Sequence, residues 1–531
     1  MTLIPQNFFQ QVASSYGVSN TELEVLSKAL LEGESIATIA MQLNLKPETV
    51  RKRLGEIYRK FEITGKGPGK MAKLQQLLVS LYQEETQQLS DLPQTVEPDG
   101  TSHWSSRQDW NAAPDVETFY GRTQELTQLK QWILRDRCRL VALLGMGGIG
   151  KTTLAVKFAK QNAAEFDFVI WRSLGQATPF PLILQDLIQF LSPQPSSNFE
   201  EIGTGISQLM EILRSHRCLL IVDDLEMILS RQDLAGHYAD RFQEYGQFIQ
   251  RVAQEPHQSC LVLASSEKLK DLAQLEGQKV RSLQVVGSEE ISQKILAERG
   301  FVVTQDWENL ISRYGCNPLA VKIVSATVQE LYEGQVADFI KNTLLMGDIR
   351  TLLDRPFERL SLAEKELMYW LALEQRPIQL SQLQEKMLLP LSASELLEII
   401  GSLGRRSLIS KSQKQHQAYF SLQPVVMKYA IEQFVYQVDR ELMGLIKNQD
   451  VEGVRLLKLY PLKASENSQK HYSILDLVIN RLKSRLFANT RGLNLAIKRL
   501  EDNLSNLEEQ FLEGEYITQN LQNIISAIKA S

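Results

Sequence analysis

Five short apolar runs recur between residues 119 and 286, with longer helix-like segments between them. Each run is continuously apolar rather than alternating with polar positions, which is typical of strands covered on both faces in a parallel sheet. Strands that alternate with helical segments predict a doubly wound α/β domain over residues 119–286. The runs are "RLVALLG", "FDFVIWRSL", "RCLLIVDDLE", "SCLVLASSEK" and "VRSLQVVG".

The rest of the chain divides into helical segments and one polar stretch. Residues 84–118 are polar, contain proline and lack an apolar period, which predicts a linker after a small unit of residues 1–83. Beyond residue 287 helical spacing predominates, punctuated by Gly and Pro. Residues 437–531 contain long helical stretches, and we find no internal repeat in them.

Composition and charge narrow the classes of function. At 531 residues the chain should form roughly three to five domains. A net charge of -5 argues against a surface that coats nucleic acid, so any contact with DNA would need a local basic patch.

We expect no membrane contact and a cytoplasmic location, since neither a secretory leader nor a membrane-spanning segment is visible. The 4 cysteines lack a CxxC pair and the 6 histidines are scattered, so we expect buried thiols and no metal except one that accompanies a nucleotide.

One glycine-rich segment satisfies the phosphate-loop pattern G-x-x-x-x-G-K-[ST] between a predicted strand and a predicted helix. Its backbone N–H groups and the helix N-terminus would bind phosphate oxygens. Lys151 would bridge the β- and γ-phosphates, and the hydroxyl of Thr152 would ligate Mg²⁺. The predicted nucleotide-binding residues of this segment are Gly145, Gly147, Gly148, Ile149, Gly150, Lys151, Thr152 and Thr153.

Two acids end the apolar run "LLIVDDLE" downstream of this loop. In enzymes with a phosphate loop, a first carboxylate holds Mg²⁺ and a second can orient or deprotonate the attacking water. We therefore expect Asp223 to bind the metal, and we expect Asp224, with Lys151, to act in catalysis. Together with the phosphate loop, the pair predicts a nucleoside triphosphatase core.

Across residues 105–435 the chain resembles the NB-ARC group of STAND signalling ATPases. The resemblance rests on "FYGRTQEL", "GMGGIGKTTLA", "LLIVDDLE" and "YGCNPLAVKI", in this order. It implies ADP or ATP bound between the α/β domain, a helical ARC domain (287–350) and a winged-helix domain (351–436), with nucleotide exchange switching closed and open forms and driving homo-oligomerisation. It also implies that Pro318 packs on the adenine and that Arg122 borders the base and sugar. The preference of proline for the first turn of a helix would place Pro318 there as well.

The chain departs from the family pattern at two places. The family's His-Asp pair near the end of the winged helix aligns with Gln423 and Pro424, so at best an amide replaces the histidine contact to the β-phosphate. After the strand "VLASSEK", Ser266 or Glu267 stands where relatives often have an arginine that senses the γ-phosphate. Because a cation there would stabilise the transferring phosphoryl group, we expect slow or absent hydrolysis.

The first unit has the pattern of a helix-turn-helix, and "IAMQLNLKPETVRKRLGEIYRKF" resembles the LuxR-type DNA-binding family. Its third helix would begin at Pro47 and could enter a major groove, with DNA contacts from Arg51, Lys52 and Arg53. Helix-turn-helix folds also serve as protein adaptors, so contact with a protein partner stays open.

Three functions remain. The first is a nucleotide-gated signalling switch whose N-terminal or C-terminal helices contact a protein partner. The second is an ATP-regulated transcription factor that binds DNA through the helix-turn-helix. The third is a metabolic or remodelling ATPase. In relatives a helical spacer precedes a sensor array; here the spacer ends in "YITQNLQNIISAIKAS" and no repeat follows. We therefore expect a sensing module on another chain or a shortened form.

Overall fold

A computed structural model describes most of the chain in two compact units, residues 1–103 and 104–531. The described residues are 18–30, 36–43, 45–61, 107–192, 201–342, 347–387, 391–414, 417–448, 451–462, 473–486, 490–508 and 516–530, with a few single positions between residues 12 and 77.

In the described part of the first unit, three helices have defined bounds and pack around a small apolar core. Their bounds are α1 (Asn20–Leu30), α2 (Ile36–Gln42) and α3 (Pro47–Lys60). The third helix starts at Pro47, as predicted, because proline lacks the N–H that a first helical residue leaves unpaired. Val50, Leu54 and Ile57 recur at three- and four-residue steps and face the core.

The second unit contains a six-stranded parallel sheet, and the predicted α/β fold is confirmed. The strand order is β1-β3-β4-β5-β2-β6, so β5 lies between the strands that precede the phosphate loop and the acidic pair. The five predicted apolar runs form β2 to β6. The bounds are β1 (Arg107–Asp109), β2 (Leu140–Leu144), β3 (Phe168–Ser173), β4 (Cys218–Asp223), β5 (Cys260–Ser265) and β6 (Val280–Gln284).

Helices cover both faces of this sheet, which explains why its strands are continuously apolar. Along β2, Leu140, Ala142 and Leu144 belong to one core, whereas Val141 and Leu143 belong to the core on the other face. The helices are α4 (Thr123–Lys130), continued by a π-helical turn (Gln131–Arg135), α5 (Lys151–Gln161), α6 (Phe180–Leu191), α7 (Ile202–Ser215), α8 (Gln243–Gln254) and α9 (Leu272–Leu275). Short 3₁₀ turns lie at Ala163–Glu165, Leu225–Ile228 and Asp240–Phe242.

Part of the predicted linker belongs to this domain. Arg107–Asp109 pairs in parallel with β3, and Arg172 donates a hydrogen bond of 2.6 Å to the Asp109 carboxylate. Val116 is buried in the core. The prediction of a linker over residues 84–118 is therefore wrong for residues 107–118. A three-residue edge strand with charged residues at both ends lacks the apolar run by which the other strands were found.

The chain continues as the helical region, residues 289–530, whose helices share one apolar core. Its first part contains α10 (Glu289–Glu298), α11 (Gln305–Arg313), α12 (Pro318–Leu331) and α13 (Val336–Asn342). Next come α14 (Gly347–Glu358), α15 (Leu362–Glu374), α16 (Leu380–Lys386) and α17 (Ala393–Arg405), followed by the antiparallel hairpin β7 (Ile409–Lys414) and β8 (Gln417–Leu422). The last part contains α18 (Pro424–Asn448), α19 (Leu456–Leu459), α20 (Ile474–Leu486), α21 (Thr490–Glu508) and α22 (Ile517–Ala530).

Two predicted domain boundaries fall inside helices. The boundary after residue 350 lies within α14, and the boundary after residue 436 lies within α18, which runs for 25 residues. Because α18 carries apolar residues along its whole length, it joins the predicted winged-helix segment to the C-terminal helices in one core. No helix among the described residues is both long and apolar enough to cross a membrane. Cys138, Cys218, Cys260 and Cys316 are free thiols, and the first three are buried.

Candidate nucleotide-binding site

The phosphate loop connects β2 to α5 and requires glycine at its tightest points. Gly145 has a φ of 153°, and a Cβ there would lie 2.5 Å from the carbonyl oxygen of Val285. Gly148 has a φ of 74°, and its Cβ would lie 2.7 Å from the Cβ of Leu319. Side chains at either position would clash with the neighbouring backbone or helix. The loop therefore packs closely against both β6 and the start of α12.

Lys151 is the first residue of α5, and its ammonium group lies inside the loop. Its Nζ donates to the carbonyl oxygens of Gly145 (2.9 Å) and Met146 (3.1 Å). Burial lowers the pKa of Lys151, whereas the nearby charges of Glu226, Asp223 and Asp224 act to raise it. A phosphate oxygen is a stronger acceptor than a carbonyl oxygen, so a polyphosphate in the loop would attract this ammonium group. Thr153, in the same first turn of α5, donates its hydroxyl to the Gly150 carbonyl at 3.3 Å.

The side chains of Thr152 and Asp223, the two predicted magnesium ligands, share a hydrogen bond, and their binding of a metal stays a prediction. Asp223 ends β4 and is 4% exposed. Burial and the charge of Asp224 raise its pKa to about 6, although a hydrogen bond from Thr152 opposes the shift. The described residues contain no group of three or more His, Cys, Asp or Glu side chains that could hold a metal by themselves. Magnesium would suit this pair, because it commonly binds through one or two protein ligands together with substrate phosphates and water.

Asp224 follows in a left-handed conformation with a φ of 57°. The hydroxyl of Ser173, at the end of β3, donates to its carboxylate at 2.6 Å. Asp224 also lines a cavity with Met146 and Gly147 of the loop, where a carboxylate could orient water.

A further acid, Glu226, was not predicted from the sequence. Its carboxylate accepts hydrogen bonds from the hydroxyl of Ser265 (3.0 Å) and the backbone N–H of Ser266 (3.1 Å). Asp224 and Glu226 line one cavity of about 370 Å³ with Met146 and Gly147 of the loop. Three arginines of the helical region, Arg355, Arg359 and Arg406, line it as well, and we call it the arginine cavity. The site therefore contains a second candidate base and cations that the sequence analysis missed.

Glu267, one of the two residues expected in place of the family's arginine, is 2% exposed and has structural partners. Its carboxylate accepts from Arg406 (2.6 Å), Arg359 (3.1 Å) and the backbone N–H of Gly236 (2.7 Å). Arg406 also donates to Glu364 at 3.1 Å. The end of β5 is thus an ion-pair network that joins the sheet domain to the helical region.

Arg122 is buried and reaches the phosphate loop. It donates to the Ile149 carbonyl (3.0 Å) and to the Glu125 carboxylate (2.7 Å). The first bond holds Arg122 against the loop, and the second ties it to α4. Whether Arg122 also borders a base or sugar stays a prediction.

The start of α12 is tied to the loop by Asn317, which the sequence analysis also missed. Its side chain accepts from the N–H groups of Leu319 (3.1 Å) and Ala320 (3.2 Å), and it donates to the Gly147 carbonyl (2.9 Å). Pro318 is the first helical residue, where its missing N–H costs nothing. An asparagine cap before a helix-starting proline is a recognisable signal in the sequence. Contact of Pro318 with adenine stays a prediction.

Gln423 lies at a smaller cavity of about 190 Å³ that Met146 and Ile149 of the loop also line. Its amide nitrogen donates to the Ser407 carbonyl at 2.7 Å. The amide is therefore near the loop but donates to the backbone between α17 and β7, and its contact with a β-phosphate stays a prediction.

The three cations predicted to contact DNA differ in their surroundings. Arg51 and Lys52 are exposed on α3. Arg53 is half-buried and donates to the carbonyl of Thr21 at 3.1 Å, so it helps to pack α3 on α1. A second contact between these helices joins Lys60 of α3 to Glu22 of α1. Burial opposes ionisation of Glu22, but its hydrogen bonds from Lys60 and Ser19 lower its pKa to about 2. Arg51 and Lys52 are thus more exposed than Arg53, and contact of all three with DNA stays a prediction.

Comparison with known families agrees with both motif assignments. Residues 122–234 match the model of the NB-ARC domain, and residues 17–67 match that of bacterial regulatory proteins of the luxR family. An uncharacterised WD repeat-containing protein of Nostoc sp. (strain PCC 7120) is 44% identical over 367 residues, which are 65% of this chain and 29% of that protein. Disease resistance RPP13-like protein 4 of Arabidopsis thaliana is 28% identical over 131 residues, which are 24% of this chain and 15% of that protein.

The chain thus spans less than a third of the length of these curated relatives. Among solved structures, the Walker-type ATPase of Pyrococcus abyssi shares 14% identity and covers 60% of this chain and 99% of its own, with a TM-score of 0.42.

Proposed function

The chain carries an NB-ARC domain behind an N-terminal LuxR-type helix-turn-helix, and from this premise we propose that it is a nucleotide-dependent signalling switch of the STAND class. ADP with Mg²⁺ holds the resting form, and exchange for ATP opens it and allows homo-oligomerisation. The winged-helix assignment of residues 351–436 belongs to this proposal; helices α15 to α17 followed by the β7-β8 hairpin support it.

The observation that carries the proposal is the direct packing of the phosphate loop against the helical region. A Cβ at Gly148 would overlap Leu319, and Asn317 bonds the Gly147 carbonyl. A loop in such contact cannot change shape around a phosphate without affecting α12. Occupancy of the loop would therefore bias the arrangement of the two parts, as a switch requires.

Slow turnover is part of the proposal. At the end of β5, Ser266 offers a hydroxyl where a cation would stabilise the transferring phosphoryl group. A switch benefits from a long-lived nucleotide state, whereas a metabolic or remodelling ATPase would turn over quickly without a partner. Steady-state phosphate release by the purified chain separates these two functions.

The test is mass spectrometry of the nucleotide released when freshly purified chain is denatured. We expect about one ADP per chain, and Lys151→Ala should retain none, since it removes the cation that reaches the β- and γ-phosphates. Lys157→Ala is the matched control: this lysine is on the same helix but donates to the Val116 carbonyl, away from the loop. The proposal is wrong if the purified chain, offered ADP or ATP with Mg²⁺, takes up neither nucleotide and shows no rise in melting temperature.

A second function, DNA binding by α3, is favoured by the luxR-family match and by the exposed Arg51 and Lys52. Binding through phosphate contacts weakens steeply with salt. If α3 binds DNA, replacing Arg51 and Lys52 with alanine should weaken binding and reduce its salt dependence by about two counterions. DNA binding that is absent, or unchanged in this variant, would favour an adaptor role for this unit.

A further inference from the structure

The arginine cavity contains a buried cation to which neither the motifs nor the proposed switch assigns a role. Arg359, just after α14, is 9% exposed. Its Nη2 donates to the carbonyl oxygens of Leu229 (3.3 Å) and Ser230 (3.2 Å) and to Glu267 (3.1 Å). Its Nε and Nη1 are buried and have no hydrogen-bond acceptor among the residues that the structure describes. One of the three guanidinium nitrogens, Nη2, therefore has acceptors, and the other two do not.

The other side chains of the cavity do not supply the missing acceptors. Asp224 accepts from Ser173, and Glu226 accepts from Ser265 and the Ser266 backbone. Burying charged donors without acceptors is costly, so such donors on a residue that lines a cavity indicate a ligand that carries acceptors. The cavity has room for such a group, at about 370 Å³.

The position of the cavity identifies the ligand's chemistry. Met146 and Gly147 of the phosphate loop line it, as does Asp224, which follows the proposed magnesium ligand Asp223. It therefore extends from the loop toward the place where a third phosphate would lie. A phosphate presents several oxygens to a planar guanidinium, which can donate two parallel bonds to them.

We infer that Arg359 binds the terminal phosphate of a nucleoside triphosphate through Nε and Nη1 and so distinguishes a triphosphate from a diphosphate. The inference rests on the proposed nucleotide switch, and it names the residue by which the ATP-bound form would differ from the ADP-bound form. The helical region, rather than the end of β5, supplies the cation. Because Arg359 shares Glu267 with Arg406, the phosphate contact also reaches the ion-pair network between the two parts. A bond already made in the ground state raises affinity without accelerating hydrolysis, which agrees with slow turnover.

The test measures the affinities of the full chain for two nucleotides, with Mg²⁺ present. Unlabelled ADP and the non-hydrolysed ATP analogue AMP-PNP compete against a fluorescent ADP. Arg359→Gln should weaken AMP-PNP by about 10- to 100-fold, the range for losing a hydrogen bond to a charged group. It should change ADP by less than about twofold, since ADP lacks the third phosphate.

Two further variants keep the result interpretable. Arg359→Lys keeps the charge but loses the forked donor, and should bind AMP-PNP with intermediate affinity; it also serves if Arg359→Gln does not fold. Arg405→Gln removes a bond to the Ala235 carbonyl in the same interface, away from the cavity, and should leave both affinities unchanged.

The outcomes separate this inference from the proposed function. Equal loss of ADP and AMP-PNP affinity, or no loss of either, in Arg359→Gln overturns the role of Arg359 while the nucleotide switch stands. Failure of the unmodified chain to bind ADP overturns the switch itself.

Discussion

The strands β4 and β5 are neighbours in the sheet, but the sites at their ends are built in different ways. At the end of β4, Asp223 and Asp224 have partners within the sheet domain: Thr152 beside Asp223 and Ser173 beside Asp224. At the end of β5, Glu267 pairs with Arg359 and Arg406, which are 92 and 139 residues away along the chain. The first end is complete within one domain, whereas the second needs the helical region.

This difference separates two kinds of consequence. A change at the end of β4 should alter how the nucleotide and its metal are bound. A change at the end of β5 removes a partner from a buried ion network, so it should first affect folding and the attachment of the helical region. The following predictions test whether the two ends can be separated in this way.

The largest effect is expected for Arg406→Ala. This residue is 5% exposed and donates to Glu267 (2.6 Å), Glu364 (3.1 Å) and the Asp233 carbonyl (2.7 Å). Removing it leaves two buried carboxylates short of a counterion, so the free energy of unfolding should fall by about 3–5 kcal/mol. Urea unfolding of the nucleotide-free chain, followed by tryptophan fluorescence, measures the loss.

Arg405→Ala is the control for that experiment. It is the neighbouring residue on α17, half-buried, with a single bond of 2.9 Å to the Ala235 carbonyl. It should cost about 1 kcal/mol or less. Similar losses in the two variants would mean that the network contributes no more than an ordinary surface bond. The claim that the end of β5 is needed chiefly for folding would then be wrong.

A smaller effect of opposite sign is expected for Asp223→Asn. The pKa of Asp223 is raised from 3.8 to about 6, chiefly by burial, so between these values the folded chain binds a proton that the unfolded chain does not. The free energy of unfolding therefore falls as pH rises through this window. The amide avoids that cost, and at pH 7 the nucleotide-free variant should be more stable by about 1–2 kcal/mol. The gain should vanish near pH 4.

The same substitution should weaken binding of the Mg²⁺-nucleotide, because magnesium needs the ionised carboxylate. In the unmodified chain, the Mg²⁺-dependent part of the affinity should fall by about tenfold per pH unit below pH 6. In Asp223→Asn it should be weak and independent of pH. Calorimetric titration of the Mg²⁺-nucleotide at pH values from about 5 to about 8 tests both statements. An unaltered pH profile would remove Asp223 from the metal site.

The sequence was enough to locate the candidate residues at the end of β4 in the fold, but not those at the end of β5, for a physical reason. The phosphate loop and the acidic pair each follow an apolar strand directly, so pattern and spacing were enough to place Lys151, Thr152 and Asp223. Arg359 and Arg406 are two arginines among many in a helical segment. Nothing local distinguishes them, because their role depends on how the helical region packs on the sheet. The same limit applies to β1, which has pairing but no apolar run.

The smallest effect is expected for Ser173→Ala, which tests whether Asp223 and Asp224 at the end of β4 act independently of each other. The Ser173 hydroxyl donates to Asp224 at 2.6 Å and accepts from the N–H of Gly175 at 3.0 Å. Its loss should lower the free energy of unfolding by about 1 kcal/mol. Affinity for the Mg²⁺-nucleotide should stay within about twofold, since Asp223 keeps its own partner, Thr152. Unfolding and titration of this variant beside Asp223→Asn give both numbers. A loss of affinity as large as that of Asp223→Asn would show that Asp223 and Asp224 act as one unit. The functional difference between the end of β4 and the end of β5 would still hold in that case.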